Sequence, residues 1–219
     1  MPAPRIALVH ATPVAIDPIV EAFRTLWPEA QTTNLLEDSL APDLAAAGEL
    51  TGAMIDRFVT LARYVHGCGA DAILFTCSAF GPAIEKARDA VPVPVLKPNE
   101  AMFDEALTAG TRVALIATFE PSIPALRREL EELAEAQRVP VQIVTRAVPA
   151  ALTALHAGDS AGHDRMIADA AEALGDCDAV VLGQFSMASA ATLIPARPGR
   201  KVLTSPASAV VKLRATLGA

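Results

Sequence analysis

Short apolar runs alternate with longer stretches of helical spacing along the whole chain, the pattern expected of strands and helices in turn. In the first half, Arg5 to Val9 reads as a short buried strand. Asp17-Pro18 reads as a helix start, with Asp as the cap and Pro at the first helical position. Ile19, Val20, Phe23 and Leu26 then follow at helical spacing. Thr32 to Leu36 predicts a second strand, and Leu50 to Val65 a helix with Met54, Phe58 and Leu61 on one face. Asp71 to Thr76 and Val93 to Leu96 predict a third and a fourth strand. The second half repeats the order. Strands are expected at Val113 to Ala117, Val141 to Val148, Ala179 to Gly183 and Lys201 to Leu203. Helices are expected at Pro121 to Gln137, at His163 to Leu174 and from near Pro206 onward.

The repetition extends to residues. Arg5-Ile6-Ala7-Leu8-Val9 matches Arg112-Val113-Ala114-Leu115-Ile116, and Asp71-Ala72-Ile73-Leu74-Phe75 matches Asp178-Ala179-Val180-Val181-Leu182, both at an offset of 107. Val95-Leu96 matches Val202-Leu203 at the same offset. Pro98 and Ala101 match Pro206 and Ala209 at an offset of 108. A duplicated α/β architecture follows, with repeat units 1–107 and 108–219 and a last helix able to pack on the first half. Apolar strands separated by helices imply parallel sheets covered on both faces. Ligands of such sheets sit beyond the carboxyl ends of the strands. The fold expected is two pseudo-twofold-related parallel-sheet domains with helices on both faces and an active crevice between them.

Composition narrows the partners. A formal charge of −7 without a basic cluster argues against nucleic acid. No apolar run reaches the roughly 18 residues of a membrane span, and no signal-peptide pattern opens the chain. Three cysteines, Cys68, Cys77 and Cys177, without a CxxC or Cys/His cluster, fit neither a disulfide frame nor a metal site. The expectation is a cytoplasmic protein with no metal, no membrane and no nucleic-acid partner. GxGxxG, GxxxxGK[ST] and HExxH are all absent, so nucleotide and zinc chemistry have no support.

Position sorts the candidate residues. Cys77 follows the third strand at its carboxyl end, where the start of the next helix would favour thiolate. Thr76 and Ser78 flank it with hydroxyls, and the backbone N–H groups beyond are a plausible carboxylate cradle. The alternative for Cys77 is a small buried apolar residue. Cys68 and Cys177 precede their strands and are expected to be inert packing. His10, at the end of the first strand, has a pKa suited to proton transfer; it is a second base, a carboxylate holder as imidazolium, or a structural residue. Thr12 and Thr118 end strands on the same side, as carboxylate-binding hydroxyls or as caps. Phe185 and Met187 read as pocket wall or core. Lys97 and the run from Arg127 to Glu135 read as solvated faces, and His66, His156 and His163 as surface residues.

A strand ending in cysteine, repeated about 110 residues on, resembles the aspartate/glutamate/hydantoin racemase superfamily, with its maleate isomerase and arylmalonate decarboxylase relatives. Asn34-Leu35-Leu36-Glu37-Asp38-Ser39-Leu40 is similar to a segment near that family's second strand. Val113 to Thr118 looks like its mid-chain strand. Leu182-Gly183-Gln184-Phe185-Ser186-Met187-Ala188 is similar to its second cysteine motif, above all in the hydantoin racemase form.

The resemblance implies an enzyme needing no cofactor, a small carboxylate substrate such as an amino acid or hydantoin, and a possible homodimer. It implies that each half supplies one cysteine, one removing the α-proton and the other returning a proton to the opposite face. This chain keeps Cys77 but carries Gln184 at the repeat-equivalent place. An amide is no general acid or base near neutral pH. Ser186 stands two residues on, without a neighbouring base. The maleate isomerases use the first-half cysteine as a nucleophile; the decarboxylases resemble a one-cysteine version but keep the thiol in the second half. The sequence therefore points to a racemase or isomerase acting at an α-carbon or double bond. Its expected acting residues are Cys77, Gln184 and His10, with Thr12, Ser78, Thr118, Phe185 and Ser186 around the substrate. A single-cysteine decarboxylase and a non-catalytic carboxylate-binding relative are the alternatives.

Overall fold

The computed structural model describes residues 3–219. Strands β1 (Arg5–His10), β2 (Gln31–Leu36), β3 (Ala72–Phe75) and β4 (Val95–Leu96) form one sheet in the order β2-β1-β3-β4. Strands β5 (Arg112–Ala117), β6 (Gln142–Ala147), β7 (Ala179–Leu182) and β8 (Lys201–Thr204) form a second in the order β6-β5-β7-β8. Every pairing is parallel. The helices are α1 (Ile16–Leu26), α2 (Leu40–Ala47), α3 (Gly52–Gly67), α4 (Gly81–Asp89), α5 (Glu100–Ala109), α6 (Ile123–Gln137), α7 (Pro149–His156), α8 (Ser160–Ala173) and α9 (Ser205–Thr216).

The duplication holds at the level of single hydrogen bonds. Val9 pairs with Phe75 across β1 and β3, and Ile116 pairs with Leu182 across β5 and β7, at the 107-residue offset read from the sequence. The Asp71 carboxylate accepts the Arg5 backbone N–H at 2.7 Å, and the Asp178 carboxylate accepts that of Arg112 at 2.8 Å. The Thr76 N–H reaches the Val9 carbonyl at 3.0 Å, and the Gly183 N–H reaches that of Ile116 at 2.9 Å.

The chain divides into two compact units, residues 1–100 with 209–219 and residues 101–208, so that α5 and α9 each run across a division. In the first unit, alternate residues of β1 and β3 (Ala7, Val9, Ile73, Phe75) pack with Phe58, Ala62 and Val65 of α3 and with Ala83, Ile84 and Ala87 of α4. Helical spacing of apolar side chains on α3 produces that contact. The other alternation, Ile6, Leu8, Ala72 and Leu74, is equally buried. In the second unit the two faces carry separate cores. Val113, Leu115, Ala117 and Val181 meet α5 and α6, while Ala114, Ile116, Val180 and Leu182 meet α7 and α8. Burial on both faces explains why these strands lack polar alternation.

Several local expectations are corrected. Asp17 lies in the first turn of α1, and the position before the helix is Ala15 with no side-chain cap, because a 3₁₀ turn over Pro13–Ala15 already leads in. Helices α2, α5 and α7 were not anticipated; their Ala-rich faces give little periodic contrast. Helix α2 stops at Gly48, whose φ of 74° closes the helix with an N–H to the Leu44 carbonyl. Cys68 is exposed, not packed.

Candidate functional site

Cys77 stands at the carboxyl end of β3, in extended backbone, directly before a 3₁₀ turn (Ser78–Phe80) that feeds α4. Its position is fixed from both sides. Phe75 before it and Phe80 after it both pack on Phe58 of α3, with ring centroids 5.1 and 4.8 Å apart. The thiol is partly buried against the first-unit core. Burial pushes its pKa above the ordinary cysteine value, and the Ala79 backbone N–H, which donates to the sulfur, works the other way. The expected preference for thiolate is thus reversed: one backbone donor does not offset the loss of water around the charged form. At neutral pH Cys77 is a protonated thiol.

His10 ends β1 and is fully buried. Its Nε2 lies 3.0 Å from the Asn34 side-chain oxygen on β2, and its Nδ1 lies 2.9 Å from the Thr76 hydroxyl next to Cys77. Burial pushes its pKa below the ordinary imidazole value, against the opposing bond to Asn34. In the neutral ring Nε2–H donates to Asn34 and Nδ1 accepts the Thr76 hydroxyl proton. Both ring nitrogens are committed, so His10 ties three adjacent strands together one residue from the thiol.

Gln184 occupies in the second unit the place of Cys77 in the first, directly after β7 and before a 3₁₀ segment over Phe185–Leu193. Its side-chain oxygen accepts three donors: the Thr118 N–H at 2.7 Å, the Thr118 hydroxyl at 2.8 Å and the Phe119 N–H at 3.3 Å. Such a convergence of backbone and hydroxyl donors is an oxyanion cradle, and here the amide of the protein itself fills it. Gly183 allows the close approach of this corner. A Cβ there would meet the Leu126 Cδ1 at 2.9 Å and the Ile116 carbonyl at 3.3 Å. Thr118 is fully buried, Phe185 is buried and Ser186 half-buried.

In the first unit Thr12 and Ser78 are half-buried, Thr12 preceding the Pro13 turn without making a side-chain cap. Lys97 is paired with Glu85 at 3.0 Å and only 18% exposed, so it is not a solvated face. His163 is buried, with Nδ1 2.8 Å from Asp164, whereas His156 closes α7 and is exposed. The segment around Glu37 is tied to α3 by Arg57, which reaches Glu37, Asp43 and the Ser39 hydroxyl. Sequence reading missed Asn34 as a partner of His10, and Phe58 and Phe80 as supports of Cys77. Asn34 follows Gln31, Thr32 and Thr33 in the same strand, so nothing in the sequence set it apart. Among the described residues no group of three or more His, Cys, Asp or Glu side chains is placed to hold a metal, and no helix is long and apolar enough to cross a membrane.

Duplicated four-stranded parallel sheets, one running from its third strand in chain order into Cys77 and the other into Gln184, define a two-unit α/β protein. A family model for Asp/Glu/hydantoin racemase matches residues 9–213, and the chain belongs to that family. Aspartate racemase from Picrophilus torridus is similar in structure over 99% of this chain and 95% of its own, with a TM-score of 0.73 at 12% identity. Allantoin racemase from Klebsiella pneumoniae is similar over 99% of this chain and 88% of its own, with a TM-score of 0.76 at 18% identity. Unliganded arylmalonate decarboxylase is similar over 96% and 93%, with a TM-score of 0.63 at 21% identity. At these identities the likeness is one of fold. No curated protein matches the sequence.

Proposed function

We propose that this protein is a cofactor-independent racemase- or isomerase-type enzyme that moves a proton at the α-carbon, or acts on a double bond, of a small carboxylate, with Cys77 as the reacting group. The observation that carries the reading is the placement of Cys77, a thiol clamped by Phe75 and Phe80 at the carboxyl end of a buried parallel strand. Family membership supports the reaction class.

For racemisation Cys77 first gives its proton to solvent, against the cost of burial. The thiolate then takes the α-proton, the S–H bond forming as the C–H bond breaks, and the electron pair stays on the substrate as an enolate-like carbanion. A proton from solvent on the opposite face completes inversion and leaves Cys77 as the thiol. Backbone N–H groups and hydroxyls around Ser78 and Thr12 would hold the carboxylate and stabilise the enolate-like state. By the 107-residue offset Ala11 and Thr12 correspond to Thr118 and Phe119, and their N–H groups would be the matching donors for Cys77.

One feature favours a second reading. Position 184 holds an amide that neither gives nor takes a proton near neutral pH, so symmetric two-thiol racemisation has no second base there. Decarboxylation of a disubstituted malonate needs only one donor. The C–CO₂ electron pair stays on the α-carbon, carbon dioxide leaves, and the Cys77 proton fills the vacated position. Turnover assays on small amino acids, 5-substituted hydantoins, maleate and disubstituted malonates, read by chiral chromatography and carbon dioxide release, separate these chemistries. Ligand binding without turnover on any of them would instead leave a carboxylate-binding relative.

A further inference from the structure

The second unit carries a cleft of about 430 Å³ lined by Arg112, Asp176, Cys177, Arg197 and Arg200, among others. It lies at the amino-terminal edge of the sheet, opposite the edge that carries Thr118 and Gln184. Arg112 opens β5, Asp176 and Cys177 precede β7, and Arg200 immediately precedes β8. The turn Arg197-Pro198-Gly199-Arg200 fixes two of the three arginines. Pro198 and Gly199, with Gly199 at φ 76°, take the two central positions, and the Arg200 N–H closes onto the Arg197 carbonyl at 3.1 Å.

Three guanidinium groups meet three carboxylates at this cleft, Glu172, Asp176 and Asp178, but the guanidinium hydrogen bonds are unevenly supplied. Glu172 alone serves both Arg197 and Arg200, the latter at 2.8 Å. The Arg112 guanidinium donates to the neutral Asp176 carbonyl, and the Asp178 carboxylate is taken up by the Arg112 backbone N–H. Asp176 is the remaining carboxylate on the wall. The Arg200 side chain is only 2% exposed. Its Nη2 reaches Glu172 and the Pro195 carbonyl, while Nε and Nη1 have no hydrogen-bond partner. Buried guanidinium donors are ordinarily satisfied, so an unpartnered pair beside a cleft of ligand size points to an acceptor from outside.

We propose that this cleft binds a small oxyanion, a carboxylate or a phosphate monoester, through Arg112, Arg197 and Arg200. The site lies at the sheet edge opposite Gln184, and its occupant is not the substrate proposed above. Cys177, on the cleft wall, supplies a built-in reporter.

Calorimetric titration with inorganic phosphate, glycerol 3-phosphate and succinate tests the proposal, the arms separating phosphate from carboxylate recognition. In parallel, alkylation of Cys177 by iodoacetamide is followed by peptide mass mapping, with exposed Cys68 as the internal control. One probe is expected to bind one-to-one and to slow Cys177 but not Cys68. Arg197→Gln and Arg112→Gln are expected to weaken that binding about tenfold or more, the loss of one charge-assisted bond. The Arg197 side chain is 38% exposed, so its variant keeps the fold, which circular dichroism checks. Absence of binding by all three probes, or unchanged affinity in both variants, overturns the proposal.

Discussion

The side-chain oxygen of Gln184 lies 2.7 Å from the backbone nitrogen of Thr118 and accepts the Thr118 hydroxyl as well. The strand-end cradle of the second unit is thereby held closed by a neutral group of the protein itself. Replacing Gln184 by Leu strands these donors. Urea denaturation is expected to show a loss of about 1–3 kcal/mol, the cost of buried donors left unmade. Acetate should restore part of that loss in Gln184→Leu and leave the parent protein unchanged, because only the variant offers an empty cradle.

Cys77 is expected to react slowly at neutral pH. Because burial holds its thiol above the ordinary value of about 8.5, alkylation at Cys77 should accelerate at a higher pH than alkylation of a cysteine in an unfolded peptide. Mass mapping across pH reads this directly. A midpoint at or below that of the peptide contradicts the assigned state.

His10 makes stability depend on acid. Its folded pKa is depressed below the ordinary 6.5, so its contribution is fully present above that pH and is lost as pH falls through the folded value. The slope from this one group is at most about 1.4 kcal/mol per pH unit. Denaturation midpoints measured from neutral pH downward should fall less steeply in His10→Gln than in the parent.

Phe58 packs on the two aromatic residues that bracket Cys77 in the chain. Phe58→Ala removes both ring contacts, to Phe75 and to Phe80, and is expected to cost about 3–5 kcal/mol. Alkylation of Cys77 in the still-folded variant should be faster, as the clamp on both sides of the residue loosens.

The fold was legible because apolar strand segments recur at one offset, and the same offset governs the registers Val9 to Phe75 and Ile116 to Leu182. The places of Cys77 and Gln184 at strand ends followed from that repeat. What they do locally did not. Whether a strand-end thiol is ionised depends on how much water reaches it, and that depends on packing against elements such as α3, whose Phe58 belongs to an earlier part of the chain. The engagement of Gln184 with Thr118 joins residues separated by 66 positions, and nothing in either local motif announces it. The expectation that His163 lies on the surface failed because α8 presents that residue inward, although it sits near a helix start.

Hydrogen–deuterium exchange at the substrate α-carbon tests the central claim most directly. Small α-chiral carboxylates and 5-substituted hydantoins are incubated with the protein in D₂O, and deuterium uptake is followed by mass spectrometry for the parent and for Cys77→Ala. The parent is expected to label the α-carbon of at least one compound, and Cys77→Ala to label it about a hundredfold to ten-thousandfold more slowly, the span of a lost acid–base group. Labelling at the parental rate by Cys77→Ala would contradict the role assigned to that thiol.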